Sequence, residues 1–292
     1  TDLNNVSEIV DTKKLQESYP YFEAAMDASD NNIKVAAAYW KAETDFQLSN
    51  FQKSLDGFQK FKRSSGASNI EEYQNIDYNI AYSYFKLKNY KEASNSFNTF
   101  SSKATEDNPL LDDANIRLAD CNFVTKNYTE AIKAYDKVID NLGVGSDYAV
   151  YQKAISFGFL GNNSKKVENL KDLIANYEFT SLLDDALFQL ANTYVTVKNN
   201  TDAHKTFNTL ISEYKRSSYI PKALLRQGLL YYNENFNTEA LDKFKKIVDL
   251  YPNSNEAKEA VTNARNVYVD LGQVDAYASW VKNISFVNVT NA

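Results

Sequence analysis

The side chains that most often carry out chemistry in enzymes are scarce in this sequence. His204 is the single histidine and Cys121 the single cysteine among 292 residues. Zinc sites and sulfur-held clusters need several such ligands, so neither kind of site is expected. A hydrolase with a Ser or Cys nucleophile would need His204 as its base, yet His204 follows Ala203 inside a predicted helix, where we interpret it as a surface residue.

Acidic pairs and phosphate-binding loops give no stronger signal for catalysis. Asp184 and Asp185 lie near the predicted start of a helix, where carboxylates ordinarily stabilise the exposed N–H groups. Neither a GxGxxG pattern nor a GxxxxGK pattern followed by Ser or Thr occurs, so phosphate binding by a Gly-rich loop is not supported. We therefore predict that the protein is not an enzyme and has no catalytic residues, no metal site and no cofactor.

Bulk composition narrows the fold class and the range of partners. The chain is 43% hydrophobic and 14% aromatic, with 8 Gly and 4 Pro, which favours long helices joined by short polar turns. A net charge of −6 gives no general electrostatic reason to bind nucleic acid or anionic lipid. No run approaches the roughly 18 apolar residues that span a bilayer, so we expect no direct membrane insertion of this segment.

A small residue recurs every 35 to 39 residues and defines seven consecutive units. These first small positions are Ala42, Ala81, Ala119, Ala154, Ala191, Gly228 and Ala264. A second set lies twelve residues further on, at Ser54, Ala93, Ala131, Lys166, Ala203, Ala240 and Ala276. A large residue follows four positions later, at Phe58, Phe97, Tyr135, Leu170, Phe207, Phe244 and Trp280. Small residues let two helices approach closely and the large residue fills the adjacent space, so each unit is predicted to be a helical hairpin.

The turn inside the hairpin also recurs. In five units an asparagine lies eight residues after the first small position, at Asn50, Asn89, Asn127, Asn162 and Asn199. Asparagine is the second choice after glycine for the left-handed conformation, so we predict that these residues end the first helices. Glu92, Glu130 and Glu239 then fall in the first turn of the second helix, where a carboxylate suits the exposed N–H groups.

This combination of positions resembles the tetratricopeptide repeat, a helix–turn–helix unit of about 34 residues. The resemblance covers residues 32–284, and one unit matches five marker positions of the family with Gly228, Tyr231, Ala240, Phe244 and Pro252. It implies an all-α fold, a right-handed α-α superhelical solenoid of about seven helical hairpins. Because the steps between units exceed the family's usual length, we expect longer links between hairpins or longer second helices.

Parts of the chain depart from this pattern. The fourth unit has Lys166 instead of a small residue and Leu170 instead of an aromatic one, and Phe236 of the sixth unit is shifted by one position, so local packing is expected to differ there. Residues 1–31 do not fit the register. We predict an N-terminal capping helical segment at residues 1–31 and a repeat array at residues 32–292, since the end of a solenoid needs a cap.

In tetratricopeptide proteins the first helices line an inner groove, and the resemblance implies a partner-binding surface there. The groove candidates are Tyr39, Tyr78, Tyr82, Phe85, Phe123, Tyr151, Phe188, Asn192, Tyr232 and Tyr268. The alternative is that individual rings pack between neighbouring hairpins. The carboxylate clamp of the family's chaperone adaptors is not expected, because Asn192 is the main match and neighbouring units have Tyr82, Asp120 and Leu229 at the same position.

The function predicted from these features is a non-enzymatic scaffold that binds a peptide or protein surface, mainly through apolar and aromatic contacts. Three other hypotheses stay open: a cytoplasmic peptide adaptor, a carbohydrate or cell-wall binding module, and a spacer or self-assembly segment of a longer protein. The oligomeric state and the identity of the partner are left open as well.

The links between hairpins carry a second, narrower resemblance. Residues 250–260, with the related residues 176–191 and 213–228, are similar to the Tyr-Pro-x-Ser connections of bacterial envelope proteins such as outer-membrane assembly lipoproteins and periplasmic partners of the Tol-Pal system. Residues 266–290 resemble long tetratricopeptide proteins of Bacteroidetes, which continue past this point. The resemblance implies a periplasmic or outer-membrane-associated segment of a longer protein, with a cytoplasmic location as the alternative.

Overall fold

The computed structural model describes residues 12–287, and all regular secondary structure in this range is helical. Two short 3-10 helices, Ala67–Asn69 and Glu71–Asn75, accompany the α-helices. The α-helices are α1 (Thr12–Met26), α2 (Asn31–Gln47), α3 (Phe51–Arg63), α4 (Ile76–Lys86), α5 (Tyr90–Ser101), α6 (Leu111–Val124), α7 (Tyr128–Asp140), α8 (Ser146–Phe159), α9 (Asn163–Asn176), α10 (Leu183–Thr196), α11 (Asn200–Glu213), α12 (Ile220–Asn233), α13 (Asn237–Leu250), α14 (Asn255–Asp270) and α15 (Val274–Val281). The predicted all-α solenoid of helical hairpins is confirmed.

The chain divides into two compact units, Thr1–Leu160 and Gly161–Ala292. The division falls in the turn of the fourth predicted hairpin, so α8 belongs to the first unit and α9 to the second. This is the hairpin in which Lys166 occupies the position of a small residue. The predicted boundary between a cap at residues 1–31 and an array at residues 32–292 stays a prediction; α1 lies within that cap, and residues 1–11 and 288–292 lie outside the described part.

The hairpins are held together by the small and large residues that the repeat predicts. Ala81, Ala93 and Phe97 are completely buried together in the first unit. In the second unit, a Cβ atom added to Gly228 of α12 would lie 2.6 Å from Cε1 of Phe244 in α13. The backbones approach so closely there that only glycine leaves room for the ring, which is itself completely buried.

The hairpin turns correct one detail of the prediction. The left-handed residue precedes the recurrent asparagine: Lys88 has φ of 60° and its N–H donates to Phe85 O, while the N–H of Asn89 returns to Tyr84 O. These two bonds form a Schellman motif, which places the left-handed residue at the first position after the helix end. Asn89 then begins the second helix as its N-cap residue, with φ of −86°. The same order recurs at the turns with Ser49, Lys126, Gly161 and Lys198. In the sixth hairpin the left-handed residue is Asn235, and Phe236 is the N-cap residue.

The seventh hairpin is shifted by one residue. Its left-handed residue, Gly272, lies eight residues after Ala264, whereas the other turns place that residue seven after the first small position. The second helix is displaced accordingly, so Tyr277 and Val281 are buried and the predicted small residue Ala276 is exposed. The predicted packing of Ala276 and Trp280 is therefore wrong in register.

Candidate partner-binding clefts

A hydrogen-bonded network joins the first helices of the first unit. We call it the tyrosine–aspartate network; its members are Tyr78, Tyr82, Asp113, Arg117, Asp120, Tyr135 and Tyr148. Three members lie on α6, four and three residues apart, so that Asp113, Arg117 and Asp120 share one helix face. The other members reach this face from α4, α7 and α8. The network therefore ties α4, α7 and α8 to α6.

The two carboxylates of the network each accept several hydrogen bonds. Tyr78 donates to Asp113 Oδ2 over 2.9 Å, and Tyr82 donates to the same oxygen. Arg117 Nη1 donates to Asp120 Oδ2 over 3.1 Å, and its Nε lies 3.3 Å from Asp113 Oδ1. A single guanidinium thus lies between two carboxylates, and these partly buried charges satisfy one another.

Burial changes the acid–base behaviour of the network. It raises the pKa of Asp120 above its ordinary value, and the hydrogen bonds from Tyr135, Tyr148 and Arg117 offset this only in part. Burial, followed by the adjacent charges, also raises the pKa of the Tyr78 and Tyr82 hydroxyls. These tyrosines stay protonated at neutral pH and act as hydrogen-bond donors to the aspartates.

The first cleft opens between α2 and α4 in the first unit and has a volume of about 220 Å³. It is lined by Glu43, Phe46, Gln47, Phe58, Tyr78, Asn79 and Tyr82. The Phe46 and Tyr82 rings meet nearly at right angles, with centroids 6.4 Å apart. Glu43 accepts hydrogen bonds from Gln47 Nε2 at 2.8 Å and Asn79 Nδ2 at 3.2 Å. The cleft is therefore aromatic and carries one carboxylate.

The second cleft opens between α10 and α12 in the second unit and has a volume of about 550 Å³. It is lined by Phe188, Gln189, Asn192, Val195, Thr196, Arg226, Leu229, Leu230 and Asn233. Phe188 stacks on Tyr219, with ring centroids 4.9 Å apart, and Tyr219 donates its hydroxyl hydrogen to Asp185. The stacking on Tyr219 holds the Phe188 ring, which forms part of the apolar wall of the cleft.

The structure separates the predicted groove residues into packing residues and cleft residues. Tyr39 and Tyr268 are 7% and 4% exposed and pack in the core, so they offer a partner almost no area. Four others line the clefts: Tyr78 and Tyr82 the first, and Phe188 and Asn192 the second. Of the ten candidates, these four are the ones that the structure brings together in pairs.

The remaining four candidates are partly buried and lie outside both clefts. Phe85 contacts the Tyr90 ring, and Phe123 contacts the Tyr128 and Phe159 rings. Tyr232 donates its hydroxyl hydrogen to Asp270 of α14, and Tyr151 lies half-buried on α8. That these side chains contact a partner stays a prediction.

Several cleft residues were missed by the sequence reasoning. Glu43 lies at one of the predicted groove positions but was not selected as a candidate. Arg226 and Asn233 were not considered. The predicted groove positions were those three before, one after and four after the first small residue of each unit. Both clefts also use the positions two before and five after it, as Asn79 and Gln47 show. A helix face wide enough to include these positions would have identified them.

The residues considered for catalysis have structural partners. His204 Nε2 lies 2.8 Å from Glu234 Oε2, and the His204 ring stacks on Tyr231, so this side chain is packed between helices rather than free on the surface. Cys121 is completely buried, which raises the pKa of its thiol to about 12 and disfavours the reactive thiolate. Asp184 accepts a 2.6 Å hydrogen bond from the hydroxyl of Ser217.

Within residues 12–287, none of the helices combines the length and the apolar composition needed to cross a membrane. The same residues contain no group of three or more His, Cys, Asp and Glu side chains placed to hold a metal ion.

Comparisons with known proteins agree with the hairpin architecture. Tetratricopeptide repeat profiles match residues 78–143 and residues 222–254. A search of curated proteins gave no match. One similar solved structure is the C-terminal part of a TPR repeat-containing protein from Cytophaga hutchinsonii, with 15% identity and a TM-score of 0.64, covering 87% of this chain and 98% of that chain.

Two further solved structures share the fold. RapI in its apo form has 12% identity and a TM-score of 0.62, and the match covers 90% of this chain and 78% of that one. MamA has 15% identity and a TM-score of 0.50, with 60% of this chain and 95% of that chain covered. At these identities the likeness shows the fold alone. Residues 78–143 of the first unit and residues 222–254 of the second match tetratricopeptide repeats, a helical architecture that typically binds protein partners.

Proposed function

We propose that this chain is a non-enzymatic interaction scaffold that holds an extended segment of a protein partner in the second cleft. The observation that carries the proposal is the combination of an apolar floor with unused polar side chains in one opening of about 550 Å³. Binding sites are commonly mostly apolar, with a few polar groups that orient the ligand.

Three polar side chains of the second cleft, those of Asn192, Arg226 and Asn233, have donors or acceptors left for a ligand. Asn192 Nδ2 donates to Phe188 O over 2.7 Å, which leaves its Oδ1 as an acceptor. Among the described residues, Arg226 and Asn233 have no side-chain hydrogen bond or ion pair, and both are exposed. Asparagine amides supply donors and acceptors that suit a peptide backbone, and Arg226 supplies a cation.

The apolar wall suits a side chain of the partner segment. Leu229 and Val195 are half-buried on facing helices, and Phe188 lies beside them. Because Phe188 is already stacked on Tyr219, little side-chain freedom is lost when a ligand contacts it. The cleft is therefore largely formed before a partner binds.

A library of random twelve-residue peptides displayed on phage tests this proposal. We expect the wild-type chain to select peptides that lose at least about tenfold in affinity when Arg226→Glu or Val195→Asp is introduced, since both changes place a carboxylate in the cleft. Selected peptides are then synthesised with blocked ends and measured by fluorescence anisotropy.

Arg265→Glu is the matched control, because Arg265 is an exposed arginine of the same unit that does not line the cleft. Peptides that bind all three variants and the wild type equally would place the binding site elsewhere and contradict the proposal. Circular dichroism of each variant establishes that loss of binding does not reflect loss of helix.

We also propose that the scaffold works in a bacterial envelope assembly, in the periplasm or at the outer membrane. The support is the similarity of residues 250–260 to the links of envelope tetratricopeptide proteins. Fractionation of the bacterium that makes the protein, followed by immunodetection, tests this location. Recovery with cytoplasmic marker proteins would contradict it and favour the cytoplasmic adaptor.

A further inference from the structure

The first cleft differs chemically from the second and carries a separate inference. Its wall contains the rings of Phe46, Tyr78 and Tyr82, and Phe58 is completely buried beneath them. The faces of aromatic rings attract cations because their π electrons are negatively polarised. Glu43 adds a full negative charge to the same opening.

No cation of the described chain neutralises Glu43. Its hydrogen-bond partners are two neutral amides, those of Gln47 and Asn79. Arg117 donates to the hydroxyl of Tyr82, another residue of the cleft, but its guanidinium is already paired with Asp113 and Asp120. A carboxylate that has only amide partners in an aromatic cleft is complementary to an incoming cation.

The tyrosine–aspartate network holds the rings of this cleft in place. Tyr78 and Tyr82 both donate to Asp113, and their rings contact each other with centroids 4.9 Å apart. Their hydroxyl groups are therefore used inside the protein, whereas parts of their rings line the opening. Rings that are fixed in this way bind without first losing rotational freedom.

The size of the cleft limits the ligand. About 220 Å³ is less than the roughly 300 Å³ at which clefts for drug-sized ligands begin. It suits a single long side chain with a charged end. We propose that the first cleft binds the alkylammonium group of a lysine side chain presented by a protein partner, with Glu43 pairing the charge and Phe46, Tyr78 and Tyr82 contacting the alkyl chain and ammonium group.

This proposal shares with the proposed function the idea of a protein partner, but it concerns a different cleft and is tested separately. The probes are the blocked peptides acetyl-Gly-Lys-Gly-amide and acetyl-Gly-norleucine-Gly-amide, which differ in the ammonium group, together with choline. Binding is measured by ligand-observed NMR on the full chain. We expect the lysine peptide to bind about tenfold more tightly than the norleucine peptide, the factor that corresponds to 1.4 kcal/mol.

Two variants test whether the Glu43 carboxylate causes the preference for the lysine peptide. Glu43→Gln keeps an oxygen for the two amide donors and should abolish the preference for lysine. Glu92→Gln removes the same charge from a partly buried position outside the cleft and should keep the preference. Equal binding of the two peptides to the wild type, binding of neither, or binding of choline but not of the lysine peptide would overturn the proposal. None of these outcomes depends on Arg226, so the proposed function stands or fails on its own experiment.

Discussion

The first and second clefts occupy equivalent positions of the repeat, yet they present different chemistry. Counted from the first small residue, Glu43 is equivalent to Asn192, Asn79 to Arg226 and Tyr82 to Leu229. The first cleft therefore carries an acid among aromatic rings, and the second carries a base among aliphatic side chains and amides. The backbone of the repeat determines where a cleft forms, and the side chains at those positions determine what it can bind.

The charges of the two units follow the same contrast. Residues 1–160 contain 17 Lys and Arg against 23 Asp and Glu, whereas residues 161–292 contain 15 of each. The whole net charge of −6 therefore belongs to the first unit. An acidic unit attracts cationic groups over a distance of about a Debye length, which supports the assignment of a lysine side chain to the first cleft.

The largest effect on the free energy of unfolding is expected from the tyrosine–aspartate network of the first unit. Asp120→Ala should lower the free energy of unfolding by about 3 kcal/mol, because it removes a partner of the Arg117 guanidinium and leaves the Tyr135 and Tyr148 hydroxyls without their acceptor. Urea unfolding followed by circular dichroism measures the change.

Asp270→Ala is the comparison in the second unit. It also removes a carboxylate that accepts from a tyrosine, Tyr232, but this bond is exposed to solvent. We expect a loss of less than about 1 kcal/mol there. Equal losses at Asp120 and Asp270 would contradict the conclusion that burial gives the network its strength.

The next largest effect concerns the contact between helices within a hairpin. Gly228→Ala should destabilise the protein by about 2 kcal/mol, because the added methyl group would meet the buried Phe244 ring. The higher helix propensity of alanine offsets part of the cost. Thermal unfolding measures the effect, and a variant as stable as the wild type would show that α12 and α13 can separate without cost.

Asp77 and Asp120 of the first unit are expected to contribute to stability in opposite pH ranges, because their pKa values shift in opposite directions. Burial alone would raise the pKa of Asp77, but the hydrogen bonds from Lys62 and Lys103 outweigh it and lower the pKa. The folded-state pKa lies below the ordinary value of about 3.9, so the stability from Asp77 is present above that pH. It is lost as the pH falls through the lowered pKa.

Asp77→Asn should therefore cost about 1.5 kcal/mol at pH 7, and the difference from the wild type should shrink below about pH 4. Denaturant unfolding at a series of pH values tests this. For Asp120 the direction is opposite, since a raised pKa gives a contribution that is present below the ordinary pKa and lost as the pH rises. A difference at Asp77 that stays constant down to pH 2 would refute the assignment.

The smallest expected effect sharpens the comparison of the clefts. Glu43→Gln and Arg226→Gln should each change the free energy of unfolding by less than about 0.5 kcal/mol, because neither charge takes part in an ion pair among the described residues. Denaturant unfolding of both variants is the measurement. A loss above 1 kcal/mol at either position would mean that the charge stabilises the fold and is not reserved for a ligand.

Much of the fold could be predicted from the sequence, because the spacing of small and large residues reflects local helix contacts. Ala81, Ala93 and Phe97 were predicted to pack together and are completely buried. The turn was predicted one residue too late, since glycine and asparagine preferences alone do not distinguish the left-handed residue from the N-cap that follows it. The shift in the seventh hairpin arises from one additional residue before its turn, which an ungapped register does not accommodate.

The candidate site could be predicted only in part. The groove positions include four cleft residues, but the aromatic rule also selected Tyr39, whose ring is enclosed by Phe58 and Phe61. The pattern of aromatic residues cannot tell a ring that lines an opening from one that fills the core, because both occupy the same face of a first helix.

The sequence by itself determined the succession of helical hairpins, since residues within about 20 positions of one another specify each hairpin. The tertiary structure alone decided which hydroxyls, charges and rings remain available to a partner. Tyr78 and Tyr82 find their acceptor at Asp113, 35 and 31 residues away, and Ser217 finds Asp184 at a distance of 33 residues. Contacts at one repeat length depend on how neighbouring hairpins stack, and they separate the side chains that hold the solenoid together from those that can bind a partner.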